Sequence, residues 1–415
     1  MKIWVIMAQE NPSQNRNGKR WRSNTLAEYL ADRNHEVIRW RSTFSHQKKI
    51  QLRKNSVKEK HDNYFHQFIK SRSYKRHISL KRFLNHIDLG RNFKKISKTL
   101  EKPDFVHIAN VPIELAYKVA LFCFYENIPY IIDIRDLWPD IYVDLIPIKF
   151  PFLKKIATFF LAIIYDKKLN FIFKNALGIT ALTESFLKWG LIKAKRKKRE
   201  TDYILPMSYE KISQADVVPT NLDVFNKYNF KKDNIVISYS GTINYQHNFR
   251  TIFEAAKKLE KDNLKIIFIF AGSGPILDIL KKDYSYLKNV RFTNWLDGNE
   301  FQEILEISSI GLIIYKKGIN YRINIPNKFP EYLSFGNAIA CGTEGEMSHL
   351  VDKHKIGFNF DGEDPEDFIR KLKIFLENPK NIKESSKSAL ALHEKQFLLS
   401  VNYPKYCDFI ESLLN

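Results

Sequence analysis

Cysteine is nearly absent from this chain of 415 residues, in which only Cys123, Cys341 and Cys407 occur. They are far apart, odd in number and set among apolar neighbours. That excludes a disulfide framework or a cysteine-based metal site and fits small core residues of a reducing compartment. Long apolar runs are also missing: no stretch approaches the ~18–20 residues of a spanning helix. The opening "MKIWVIMAQENP", with about six apolar positions after one lysine, falls short of a signal peptide and reads as a buried first strand. The second half lacks any charge imbalance. Residues 206–415 carry 27 basic and 27 acidic side chains, whereas residues 1–205 carry 40 and 19, so the whole net charge of +21 falls in the first half. Such asymmetry points to a polyanionic partner for that half alone: a membrane surface, a nucleic acid or a phosphorylated acceptor. A cytosolic protein attached to a membrane surface fits these totals.

What is present is alternation of strands and helices. The length favours two or three domains. Ile3 to Met7 reads as a strand, Arg20 to Arg33 as a helix and "HEVIRW" as a strand ending at Trp40. The intervening loop has one glycine, Gly18, and falls short of a dinucleotide fingerprint. Gly18, Arg20 and Arg22 are candidates for contacting an acceptor or donor phosphate there; a solvated loop is the alternative. From Ser45 to Lys98 the chain is strongly basic, with Tyr64, Phe65, Phe68 and Tyr74 interleaved, as in a nucleic-acid surface or a loop entering lipid headgroups. A strand from Phe105 to Ile108, a helix from Glu114 to Tyr125 and the strand-to-loop segment "IPYIIDIRDLWPD" follow. About ten apolar residues from Ile156 to Tyr165, including Phe159 and Phe160, lie between lysine pairs such as Lys154 and Lys155. The segment is too short and too charged to span a bilayer, and suits a helix lying in the interface plane or a buried packing helix. Ala176–Thr180 and Asp202–Leu205 complete this first region, residues 1–206.

Residues 207–222 read as a linker, and a second α/β series occupies residues 223–393. Its strands, beginning with Ile235–Tyr239, Lys265–Phe270, Val290–Phe292 and Gly311–Tyr315, alternate with helices of ~10 residues, which specifies a parallel sheet covered on both faces. Gly241 follows the first of these strands, and Gly272 and Gly274 the second, where backbone can approach a diphosphate. The series leads into "INIPNKFPEYLSFGNAIACGTEGE", Ile323 to Glu346. Pro326 and the N-cap Asn327 place a helix start at Lys328, Gly336 ends that helix, and Ala338–Cys341 is a short buried strand. Lys328, Glu331 and Tyr332 share one face, with Phe329 and Leu333 toward a core. A first-turn lysine suits phosphate and a carboxylate one turn on suits a ribose diol. A capped amphipathic helix with a surface Lys–Glu pair is the plainer reading.

The segment "PNKFPEYLSFGNAIAC" resembles the nucleotide-sugar-binding segment of family 4 glycosyltransferases of the GT-B fold, and "DIRDLWP" from Asp133 and "RSTFSHQKK" from Arg41 resemble transferases of surface-polysaccharide (O-antigen or capsule) assembly. The resemblance implies two Rossmann-like α/β domains with parallel sheets facing an interdomain cleft, and a terminal helix (394–415) crossing back to the first domain. It gives Lys328 to the donor diphosphate and Glu331 to the ribose, with Asn327, Gly241, Thr242, Gly272 and Gly274 nearby and Trp295 placed to stack on uracil, a core tryptophan being the alternative reading of Trp295. Three departures accompany it. Ile323 stands where many members have a donor-sugar glutamate, Arg135 replaces the histidine of a V-H-D-L strand end, and Thr242 and Asn244 occupy the usual arginine–lysine clamp, leaving Arg322 as a substitute. Arg135 remains charged and is no base, so Asp136 is the better proton acceptor. The implied activity is a retaining transfer from a nucleotide sugar, a UDP-sugar with an N-acetylated hexose among the candidates, to a polyprenyl-diphosphate-linked or other membrane-associated glycan. It requires no metal or other cofactor. The resemblance implies an enzyme peripheral on the cytoplasmic face of the inner membrane, touching anionic lipid and no nucleic acid. A nucleotide-sugar 2-epimerase of the same fold and a non-catalytic nucleic-acid-binding protein are the alternatives.

Overall fold

A computed structural model describes residues 1–10, 21–76, 79–140, 151–211, 224–231, 233–262, 265–296 and 298–414, with backbone alone at several positions between 151 and 162 and at 224 and 225. Gly18, Arg20 and most of the linker 207–222 lie outside the described residues, as do the side chains of Lys154, Lys155 and Phe160. The chain divides into two compact units. One comprises Met1–Arg16, Arg20–Pro206 and Tyr403–Asn415; the other comprises Asn17–Lys19 and Met207–Asn402.

The first unit is built on an eight-stranded sheet of β1 (Lys2–Ile6), β2 (Glu36–Ser42), β3 (Val57–His61), β4 (Tyr64–Ile69), β5 (Phe105–Ala109), β6 (Tyr130–Ile134), β7 (Gly178–Ala181) and β8 (Tyr203–Ile204) in the order β3-β4-β2-β1-β5-β6-β7-β8. Only β3 is antiparallel to its neighbour. β5 and β6 are buried at every position, as a parallel sheet covered on both faces requires. β3, "VKEKH", is mostly exposed and lysine-bearing, which protects the free edge from pairing with another chain.

This edge corrects the reading of the basic stretch from Ser45 to Lys98. Tyr64, Phe68 and Tyr74 are buried, so the aromatics interleaved with its lysines are core, not a surface for lipid or bases. Tyr64 and Phe68 lie in β4, where every position but Phe65 is buried, and Tyr74 packs against Phe44, while the charges are carried by the exposed edge strand β3. Phe65 is half-buried beneath the Lys58 ammonium, 4.3 Å from the ring centroid.

The apolar segment forms one helix, Pro151–Lys174, and serves differently along its length. Toward its end Leu169, Ile172 and Phe173 are buried, and the Tyr165 hydroxyl donates to Glu114 Oε1 at 2.7 Å. Toward its start Phe152, Ile156, Phe159 and Ile163, spaced as one helical stripe, are exposed by 72, 38, 63 and 50%. No helix among the described residues is long and apolar enough to cross a membrane.

The second unit has six parallel strands, β9 (Ile235–Ser240), β10 (Ile266–Ala271), β11 (Val290–Phe292), β12 (Ile310–Ile313), β13 (Ala338–Cys341) and β14 (Gly357–Asn359), in the order β11-β10-β9-β12-β13-β14. The order runs outward one way from β9 and the other way from β12. In such a doubly wound sheet the place where the order reverses leaves a crevice at the carboxyl ends of the strands, and ligands settle there. One side of this sheet is packed by Ile237, Phe253, Phe268, Phe270 and Phe368, the other by Phe329, Leu333, Ile339 and Met347. The last helix, Leu399–Ser412, begins in the second unit and ends in the first. There the Tyr406 hydroxyl meets His107 Nε2 at 3.0 Å and Thr180 Oγ1 at 2.7 Å.

Candidate functional site

The reversal point of the second unit is where the predicted lysine arrives. The helix Lys328–Ser334 begins where the sequence places it, but Asn327 already has helical dihedrals and its side chain caps nothing. The helix is also buried on every face, because strands and the helix Lys380–Leu392 enclose it. The two-faced reading is therefore corrected at Tyr332, whose ring lies in the core over Gly311, where an added Cβ would come within 2.4 Å of it. Its hydroxyl accepts the Ser240 N–H at 2.9 Å and so fastens the helix to the end of β9. Lys328 and Glu331 are each 6% exposed.

Lys328 Nζ lies 3.9 Å from the Tyr239 ring centroid, 5.0 Å from that of Tyr315 and 3.5 Å from His247 Nε2. A Cβ on Gly241 would touch the lysine end at 3.7 Å, so the missing side chain leaves the ammonium its seat. The loops after β9 and β12 are joined by backbone: Asn248 N–H donates to the Ile314 carbonyl at 2.7 Å and Lys316 N–H to that of Gln246 at 2.9 Å. Burial, then the adjacent Lys328 ammonium, push His247 well below the ordinary histidine value, so the ring is neutral at pH 7.

The glycines have a more structural task than phosphate approach. Gly241 N–H donates to the Ala271 carbonyl and Ile243 N–H to that of Ser273, each at 2.9 Å. A Cβ on Gly272 would lie 1.8 Å from the Gly241 carbonyl oxygen, and one on Gly274 would lie 2.1 Å from that of Ile243. These two glycines let the strand-end loops close against each other. Thr242 is exposed and its carbonyl accepts the Tyr239 hydroxyl at 2.7 Å. Trp295 is exposed beyond β11, not a core tryptophan, and Arg322 is exposed with its backbone packed against Gly345.

In the first unit the predicted cations gather at a carboxylate the sequence reading passed over. Asp133, fully buried in β6, accepts a two-pronged contact from Arg22, with Nε and Nη2 each at 3.1 Å, and Arg135 Nε lies 2.6 Å away. Arg22 also donates to the Leu205 and Pro206 carbonyls at 2.7 and 3.1 Å, so it braces the sheet end instead of reaching out to phosphate. Arg135 donates to Ser23 Oγ at 2.7 Å and pairs with Glu10 at 3.3 Å. Asp136 is half-buried, and its carbonyl accepts the Asn110 side-chain amide at 2.8 Å. Burial pushes the Asp133 carboxyl up, but Arg135 and Arg22 together outweigh it and hold the group down at about 2. The signal in the sequence was a lone acid inside an apolar strand; for His247 it was a histidine six residues after the Gly241 turn.

Comparison with known proteins bears on this arrangement. Residues 221–390 match the family described as "Glycosyl transferases group 1". No curated protein matches the sequence. Among solved structures, the chain is similar to sucrose-phosphate synthase from Thermosynechococcus elongatus, with a TM-score of 0.74 at 12% identity over 99% of this chain and 98% of that one. It is similar to WaaG, a glycosyltransferase involved in lipopolysaccharide biosynthesis, with 0.67 at 13% identity over 99% of both. It is likewise similar to HepE of Anabaena in complex with UDP-glucose, with 0.65 at 11% identity over 99% of this chain and all of that one. The fold is GT-B. The group 1 match lies within the unit that holds Lys328 and Glu331, and together with the fold it supports a glycosyltransferase.

Proposed function

We propose that this chain is a retaining glycosyltransferase that moves a sugar, an N-acetylated hexose among the candidates, from a UDP-sugar to a polyprenyl-diphosphate-linked glycan in surface-polysaccharide assembly. The observation that carries the reading is the buried Lys328 ammonium at the carboxyl ends of β9 and β12, with buried Glu331 one helical turn along. At the reversal point of a doubly wound sheet a cation meets the diphosphate and the carboxylate takes the ribose hydroxyls. HepE, similar in fold, was solved with UDP-glucose, and WaaG acts in lipopolysaccharide biosynthesis.

In this mechanism Lys328 stabilises the negative charge that grows on the leaving diphosphate as the glycosidic bond breaks, so no metal is required. The acceptor hydroxyl attacks from the leaving group's side, its proton passing to a donor phosphate oxygen, and configuration is retained. Arg135, held rigid by Asp133 and Glu10, and Asp136 serve the acceptor side. The stripe of Phe152, Ile156, Phe159 and Ile163 on a strongly basic half gives the enzyme a seat on the cytoplasmic face of an anionic membrane, where such acceptors lie.

The test is UDP release from candidate UDP-sugars with a lipid-linked acceptor. Lys328→Ala is expected to lower turnover about a hundredfold, as loss of one transition-state donor does, and Glu331→Ala to raise the KM for donor about tenfold. Wild-type kinetics in either variant would remove the assignment, and an epimerised sugar formed without acceptor would replace transfer by isomerisation.

A further inference from the structure

If Lys328 meets the donor diphosphate, as read above, something must hold a buried ammonium in place without neutralising it. Two tyrosine rings and one histidine nitrogen lie against Lys328 Nζ. We infer that His247 is a positioning residue for Lys328, its unprotonated Nε2 fixing the ammonium at the strand ends and its tautomer set by Asn244.

The tautomer follows from hydrogen-bond polarity. Gln246 N–H donates to Asn244 Oδ1 at 2.9 Å, and Asn244 Nδ2 reaches Gln246 Oε1 at 3.2 Å, so the amide orientation is fixed by its neighbour. His247 Nδ1 lies 2.9 Å from that same Oδ1, an acceptor, and must carry the ring proton. Nε2 is then a bare acceptor. Two groups stand near it, the Tyr239 hydroxyl at 3.1 Å and Lys328 Nζ at 3.5 Å. The tyrosine has one proton, and the Thr242 carbonyl at 2.7 Å is its nearer acceptor. The ammonium, with three protons, is the donor left for Nε2.

The rings add a second restraint of the same kind. Tyr239 and Tyr315 offer π faces to the cation, and the Tyr315 and His247 rings lie 4.5 Å apart between centroids. Neither rings nor a neutral imidazole cancel the positive charge. Burial and the neighbouring ammonium keep His247 uncharged, so it attracts the lysine and does not repel it. The arrangement supplies one well-placed cation where Thr242 and Asn244 stand in place of a clamp of two.

Calorimetric titration of the whole chain with UDP and with uridine separates diphosphate recognition from base recognition. His247→Phe, which keeps a ring and loses the acceptor, is expected to weaken UDP about tenfold, the worth of one hydrogen bond to a charged group, with uridine unchanged. His247→Gln, whose amide oxygen can replace Nε2, is expected to recover most of the loss. Should His247→Phe fail to fold, Asn244→Leu, which releases the tautomer, carries the same expectation. Unchanged UDP affinity, or equal losses for UDP and uridine, overturns the positioning role. A wild-type chain that binds no UDP overturns the reading of the site itself.

Discussion

Replacing Asp133 by asparagine keeps the shape of the side chain and removes the charge that two buried guanidiniums share. Arg22 would retain the Leu205 and Pro206 carbonyls, and Arg135 would retain Glu10 and Ser23 Oγ. The expected loss therefore lies at the low end of that for breaking a buried ion pair, about 3 kcal/mol. For a unit of this size that is a fall of about 10 °C in the midpoint of thermal unfolding. A second arm uses pH. The carboxyl titrates at about 2 in the folded chain against an ordinary 3.8. Because the folded value is depressed, the stabilisation is complete only well above the ordinary 3.8 and is lost as pH falls through that value toward about 2; the gap corresponds to about 2 kcal/mol. Wild type should lose that much more stability than Asp133→Asn between pH 4 and pH 2, followed by urea unfolding at each pH. A variant melting within about 2 °C of wild type, with the same acid profile, would refute the shared-carboxylate account.

Two further outcomes follow from packing and exposure. Gly272→Ala drives a methyl group to 1.8 Å from the Gly241 carbonyl, so the loops after β9 and β10 must part. The expected cost is about 3 kcal/mol, with weaker UDP binding because Gly241 borders Lys328, both read from one set of melting and titration experiments. Phe152→Asp with Phe159→Asp, two exposed positions of the stripe, should reduce flotation with phosphatidylglycerol vesicles at least about tenfold and leave the melting temperature unchanged, since burying each phenylalanine is worth about 1.5–3 kcal/mol. Equal flotation would exclude this face as the membrane seat.

The alternation of strands and helices was legible because it depends on local periodicity. The runs Ile235–Tyr239 and Lys265–Phe270 are apolar enough to be sheet interior, and the structure places β9 and β10 on them within a residue or two. The start at Lys328 was legible for the same reason, since Pro326 and the residues after it constrain the backbone wherever they occur. Aromatics among lysines were not, because Tyr64 and Phe68 are buried where β4 pairs with β2 and Tyr74 where it packs on Phe44, contacts that no short window contains.

What the sequence determined by itself was the two α/β series, the imbalance of charge between them, and the presence of a lysine and a glutamate one helical turn apart. Tertiary structure alone decided which charges meet. Arg22 and Asp133 are 111 residues apart and Lys328 and His247 are 81 apart, yet each pair is in contact and buried. Local propensity fixes dihedral angles, but the neighbour of a buried charge is chosen by sheet order, and sheet order brings distant strand ends together where an unpaired charge would be most costly.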